Sequence, residues 1–279
     1  MQRSITRKSI NAYKQYLFAA EKAHATITKY INEAERLAEY LNGNPLNKRA
    51  LLEYRETLAE NFSSRTVNTK LAAINGYLAF IGADEYKVHL LKVQRKAFIA
   101  ENRELSAAEY KRLVNAADAS GNDRLSLVMQ TICATGIRIS ELSYITVDAV
   151  KERRMEIRLK GKSRTVIIPS KLCKKLVEYA RRQRIDTGAV FRTKGGKPLD
   201  RANVCHDMKR LCDAAHVERS KVFPHNLRHL FARAFYSIEK NLSHLADVLG
   251  HSSIETTRIY VAASSRQYER MLDKMKLIT

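Results

Sequence analysis

The sequence predicts a mainly α protein: a helical N-terminal domain, then a mixed but mostly α domain with one small β-hairpin. Three observations carry this. Apolar residues recur at three- and four-residue spacing along most of the chain. One stretch breaks that period, where MEIRL and TVIIP flank the turn KGKSR and read as a hairpin. The segment KVQRKAFIAENREL has no sustained period and several charges, so it reads as a connection. We therefore divide the chain into residues 1–95, a linker at 96–104, and a second domain at 105–279. The 279 residues are enough for two ordinary domains.

The first helix carries Ile10, Tyr13, Leu17 and Ala20 on one stripe. A stronger stripe follows in Ile27, Tyr30, Ile31, Ala34, Leu37, Ala38 and Leu41, and Gly43 with Pro45 stops it. Leu51, Tyr54 and Leu58 mark a third helix. Val67, Leu71, Ile74, Leu78 and Ile81 mark a fourth, entered through SSRT. In the second domain Ser106 and Glu109 form a capping box that starts a helix. Further helices are expected near 170–184, 200–215, 226–239, 242–249 and 253–262. A last helix near 265–277 carries Tyr268, Met271, Leu272 and Met275 on one stripe.

Lys plus Arg is 50 against 29 acids, a formal charge of +21. Both halves of the chain share the excess. That exceeds the needs of solubility and points to a polyanion partner. Neither a membrane-spanning run nor a signal peptide is apparent in the sequence. Cys133, Cys173, Cys205 and Cys212 form no CxxC pair and read as free thiols, which fits a reducing cytoplasm.

Chemistry gathers at Arg138, Lys160, His225, Arg228, His251 and Tyr260. Their contexts are ATGIRISEL, RLKGKSRTVIIP, FPHNLRHLFA and LGHSSIETTRIY. Two guanidiniums can clamp the non-bridging oxygens of a phosphodiester. A tyrosine can attack phosphorus and hold it covalently. A lysine or histidine can protonate the departing oxygen. No metal is then required, and none is expected. His225 and His229 are spaced for a metal pair, but HExxH is missing and no third ligand is evident.

Taken singly, each residue has a plainer reading. Arg138 reads equally well as a surface arginine paired with Glu141 at i+3. The hairpin cations Arg153, Arg154, Arg158, Lys162 and Arg164 read as a solvated basic strand or as contacts to DNA. Arg65 and Lys70 in the N-terminal domain are likewise DNA-contact candidates. Tyr260 alone is one of 13 tyrosines. His225 and Arg228 share one helical face, with Leu227, Phe231, Ala234 and Ile238 expected to bury the other.

In order and spacing, these motifs resemble those of the tyrosine recombinases, the superfamily of phage integrases and Xer-type resolvases. The likeness spans most of the second domain. It departs from the family pattern where Val261 and Ala262 stand in place of a histidine that often follows the tyrosine. The hairpin turn is also about one residue short, so Lys160 and Lys162 compete as the family's general acid.

The resemblance implies a site-specific recombinase that cuts and rejoins DNA through a 3′-phosphotyrosyl link without cofactor. It implies an N-terminal four-helix core-binding domain of SAM-like fold, with the two domains clamping the duplex. It further implies a homotetramer on two DNA sites with short inverted repeats, acting in the cytoplasm on the nucleoid. Two rivals are a type IB topoisomerase-like relaxing enzyme and a non-catalytic DNA-binding protein.

Overall fold

Four helices build the N-terminal part: α1 (Arg7–Ala19), α2 (His24–Leu41), α3 (Lys48–Asn61) and α4 (Ser64–Phe80). Polar caps set three of their starts. Thr6 and Ser9 close a reciprocal box on α1, Asn47 accepts from the Ala50 amide, and Ser63 from that of Thr66. Helix α2 stops where Asn42 turns left-handed, just before Gly43 and Pro45. The expected stripes face inward: Tyr13, Ala34, Leu37, Leu51, Leu71, Ile74 and Leu78 are all buried.

The computed structural model describes residues 5–93, 104–159, 162–193, 195–261 and 273–275. The chain divides into two units, residues 1–95 and 96–279. Most of the connection expected at 96–104 lies outside the described residues, as does the final helix expected near 265–277 apart from residues 273–275.

The second unit opens with α5 (Ala107–Ala119), held by the box between Ser106 and Glu109. Helix α6 (Asp123–Thr135) ends on a left-handed Gly136. A 3₁₀ turn, Ile139–Tyr144, and α7 (Val147–Glu152) lead into the hairpin β1 (Arg154–Leu159) and β2 (Lys162–Ile167). Helices α8 (Ser170–Arg182), α9 (Arg201–Arg210), α10 (Cys212–Ala215), α11 (Pro224–Glu239), α12 (Leu242–Leu249) and α13 (Ile254–Val261) complete it. Met129, Ile132, Ile157, Leu176, Phe191, Met208 and Leu227 form the centre of the core. All four cysteines are free, with Cys173 and Cys212 buried.

Three expectations are corrected. The strands are longer than predicted, pairing antiparallel from Arg154 with Ile167 to Leu159 with Lys162. Lys162, Ser163 and Arg164 are therefore strand residues, not turn. The single helix expected over 200–215 breaks at Leu211 into α9 and α10. On α11 the buried residues include Leu227, Arg228, Leu230 and Ala232, whereas Ile238 is 85% exposed. The first turns of α11 are enclosed on the side that carries Arg228, and the last turn runs out into solvent. A two-faced pattern therefore misplaces Ala234 and Ile238.

Candidate active site

Arg228 lies one turn along α11 from His225 and is 1% exposed. Burying a guanidinium is costly unless its hydrogens are satisfied. Here Nη1 donates to the carbonyl of Gly136, and Nη2 donates to that of Leu249 at 2.8 Å. Those carbonyls stand at the C-terminal ends of α6 and α12, where unpaired C=O groups gather partial negative charge. The cation thus sits between two helix ends that welcome it. Burial and the nearby Arg138 lower its pKa to about 10, and it stays charged at neutral pH. Its Nε finds no partner among the described residues.

Gly136 is what lets α11 come this close. It is left-handed at φ 66°, and a Cβ there would stand 2.4 Å from the Phe231 ring. Just beyond it, the amide of Arg138 donates to Glu141 Oε2 at 2.7 Å and its Nη1 to Oε1 at 3.1 Å. The Arg138 side chain remains 39% exposed, so a fixed cation faces outward beside the buried one.

Glu141 itself is fully buried. Besides Arg138 it takes both terminal nitrogens of Arg164, at 3.1 and 2.8 Å. Burial opposes its ionisation, but hydrogen bonds from Arg164 and Arg138 outweigh that and hold its carboxyl below the usual value. One carboxylate therefore fixes two arginines from different elements, leaving the cluster with a surplus of positive charge.

Tyr260, on α13, is 3% exposed and lies among three imidazoles. Its ring centroid is 5.7 Å from His225, 4.2 Å from His229 and 5.4 Å from His251. Its Oη is 3.4 Å from His225 Nε2. His225 is exposed to solvent. Partial burial, with Arg228, Arg201 and Arg138 nearby, lowers its pKa, so its ring can accept a proton at neutral pH. Burial and neighbouring cations push His229 and His251 down to about 4. His251 follows the left-handed Gly250 that ends α12, and its Nε2 lies 2.9 Å from Nη2 of Arg228.

The fold thus brings Arg138, His225, Arg228, His251 and Tyr260 into one cluster from segments far apart in sequence. Lys160 lies outside the described residues; of Lys162, the backbone is placed in β2. Among the described residues no three His, Cys, Asp or Glu side chains group as metal ligands.

The sequence pattern of the Phage integrase family matches residues 103–267. The chain belongs to that family. It is a tyrosine-type site-specific recombinase. Similar curated proteins include the tyrosine recombinase XerA of Thermococcus kodakarensis, 29% identical, with 96% of this chain and 95% of the relative covered. XerH of Campylobacter jejuni is 29% identical, with 90% of this chain and 77% of the relative covered. Among solved structures, XerH bound to its difH substrate before cleavage aligns with a TM-score of 0.69 at 20% identity, covering 92% of this chain and 82% of that one. A lambda integrase (75-356) dimer bound to a core site aligns at 0.73 and 15% identity, covering 91% and 94%.

The basic residues around the site of this integrase-family chain divide by position. Arg153, Arg154 and Arg158 are exposed; Arg158 also pairs with Glu156 at 3.0 Å. Arg164 turns inward to Glu141, so its expected DNA contact is replaced by a structural one. In the N-terminal unit Arg65 is exposed and shares a concavity with Lys29 and Asn68. Lys70 is corrected: it is buried, with Nζ 2.9 and 3.0 Å from the Glu33 carboxylate and 4.9 Å from the Phe62 ring centroid.

Sequence reasoning misses two partners. The Arg164–Glu141 pair joins residues 23 apart, and no local period signals it. Thr257, fully buried, meets His251 Nδ1 at 2.8 Å. Its only signal is its place within the motif TTRIY.

Proposed function

We propose that this recombinase cuts DNA with Tyr260 and rejoins it to a partner strand, with the remaining cluster residues in distinct roles. Tyr260 Oη bonds to the scissile phosphorus while the bond from phosphorus to the 5′-oxygen breaks. His225 Nε2 takes the phenolic proton. Lys160 gives a proton to the leaving 5′-oxygen, with Lys162 as its competitor for that role. Arg138, Arg228 and His251 stabilise the negative charge on the pentacoordinate phosphorus. The 3′-phosphotyrosyl link conserves the bond energy, and the 5′-hydroxyl of a second duplex reverses the chemistry.

The convergence of a buried phenol, a neutral imidazole 3.4 Å away and an anchored buried guanidinium carries this reading. These groups have no common use in a protein that merely binds DNA. The +21 charge supports a DNA partner contacted by both units, with Arg65, Arg153, Arg154 and Arg158 among the phosphate contacts.

A lambda integrase tetramer has been solved on a Holliday junction. By analogy, four copies of this chain would act on two sites with short inverted repeats. Relaxation by a lone protomer is the weaker alternative.

The test is a nicked suicide substrate, in which the short strand diffuses away and traps the adduct. The wild-type protein should form a covalent protein–DNA species and Tyr260→Phe none, while both bind DNA alike. An adduct retained by the Phe variant would refute the assignment of the nucleophile.

A further inference from the structure

His251 is gripped at both nitrogens. Nε2 lies 2.9 Å from Arg228 Nη2, and Nδ1 lies 2.8 Å from Thr257 Oγ1. A guanidinium nitrogen only donates hydrogen bonds. Nε2 is therefore an acceptor, and the proton of the neutral ring sits on Nδ1, donated to the threonine hydroxyl. Burial favours neutrality of the ring, and so do the groups around it: Arg228 from α11, Arg138 ahead of the 3₁₀ turn, Arg164 from β2 and His225 from α11, while the Tyr260 ring from α13 stacks beside it.

This is the wrong tautomer for stabilising a phosphorane. Nε2 is the nitrogen on the Arg228 side, where the phosphate would lie, and it carries a lone pair. To donate to a phosphate oxygen it needs a hydrogen. A second proton on so cationic a site is disfavoured. Exchange of tautomers meets the need without adding charge: Nδ1 gives its proton to water, Nε2 takes one from water, and the ring stays neutral. After exchange, Nδ1 becomes an acceptor inside the fold and must find a donor. A hydroxyl can turn and supply one, because it both accepts and donates.

We infer that Thr257 is a positioning residue whose hydroxyl accepts from His251 Nδ1 in the free enzyme and donates to it once Nε2 faces the scissile phosphate. Thr257 is fully buried and lies on α13, one helical turn before Tyr260. The nucleophile and the tautomer of the neighbouring imidazole are thereby set from one helix. The inference rests on His251 facing the phosphate, as proposed above.

The experiment compares Thr257→Val, which keeps the shape and removes the hydroxyl, with Thr257→Ser, which restores it. Cleavage of the nicked substrate in a single turnover, DNA affinity, and the ¹⁵N shifts of the His251 ring in the free wild-type enzyme are measured. The Val variant should cleave about tenfold more slowly with unchanged affinity, the loss matching one buried hydrogen bond. The Ser variant should cleave within about threefold of wild type, since it restores that bond. The wild-type ring should carry its proton on Nδ1. Cleavage by the Val variant at the wild-type rate overturns the relay, and so does a Ser variant as slow as Val. A free-enzyme proton on Nε2 overturns it even if the Val variant fails to fold. A different failure, His251→Ala cleaving at the wild-type rate, would instead remove the phosphate-facing role on which the relay rests.

Discussion

The side chain of Arg164 fills the place that a Cβ on Gly250 would need, with its Cδ and Nη1 each 2.6 Å from that position. Gly250 is left-handed at φ 65° and ends the helix that precedes His251. Arg164 meanwhile fixes Glu141, which fixes Arg138. The hairpin, the exposed arginine and the His251 loop are thus interlocked through one glycine.

Gly250→Ala should therefore do more than strain a turn. Gly121 supplies the control: its φ is +69°, but a Cβ there meets open space. Gly121→Ala should cost about 1 kcal/mol, the strain of an alanine at positive φ. Gly250→Ala should cost clearly more and slow cleavage more than it weakens DNA binding, because Arg164 must move. Thermal melts and single-turnover cleavage of both variants check this. Equal losses in the two would show that Arg164 yields freely.

Much of this architecture is legible in the sequence because its causes are local. Gly136 and Gly250 end α6 and α12 in the left-handed conformation that glycine adopts without strain. His225 and Arg228 fall on one face because helical periodicity dictates it. What the sequence hides is long-range pairing. Arg164 reads as one more cation on a basic strand until Glu141, buried on another element, claims it. Lys70 and Arg65 sit on one helix and look alike as DNA contacts. Which of them points inward depends on Glu33, 37 residues before Lys70 on a packed neighbour.

That difference between Lys70 and Arg65 is measurable. Lys70→Met leaves the buried Glu33 without its main partner, with only a bond from Arg36 at 3.0 Å among the described residues. The expected loss is about 3 kcal/mol, at the low end for breaking a buried pair. Replacing Glu33 by Leu in the same protein should recover most of it. Arg65→Ala should change stability by less than about 0.5 kcal/mol, as an exposed site does. It should instead weaken DNA binding and lower the salt slope by about 1. Denaturant melts and salt-dependent binding separate the two; an unchanged melt for Lys70→Met would contradict the buried pair.

Acid should destabilise the fold through the histidines of the site. His229 and His251 are both neutral in the fold, pushed from 6.5 down to about 4. Above about pH 7 the folded and unfolded chains hold the same number of protons at these rings, and nothing changes. Between 6.5 and 4 the unfolded chain takes up protons that the folded chain refuses, so stability falls as pH falls. Cleavage should outlast pH 6.5 on the acid side, because His225 is also lowered and must be neutral to accept the phenolic proton. Melting temperature and cleavage rate against pH test both. An acid limb centred at or above 6.5 would argue against His225 as the acceptor.

The hairpin lysines can be told apart by changing the leaving group. Lys162 begins the paired strand β2, opposite Leu159, and Lys160 precedes it by two positions in the sequence. A general acid matters because a departing 5′-alkoxide is a strong base; a departing thiolate needs little protonation. Lys160→Ala should therefore cleave ordinary DNA about 10² to 10⁴-fold more slowly than wild type, the usual span of general-acid catalysis. It should return close to the wild-type rate when sulfur replaces the bridging 5′-oxygen. Lys162→Ala should lose affinity for both substrates alike and gain nothing from sulfur. Rates measured at saturating enzyme remove the affinity difference. If selective rescue appears in the Lys162 variant, the proton comes from the strand, and Lys160 is a phosphate contact.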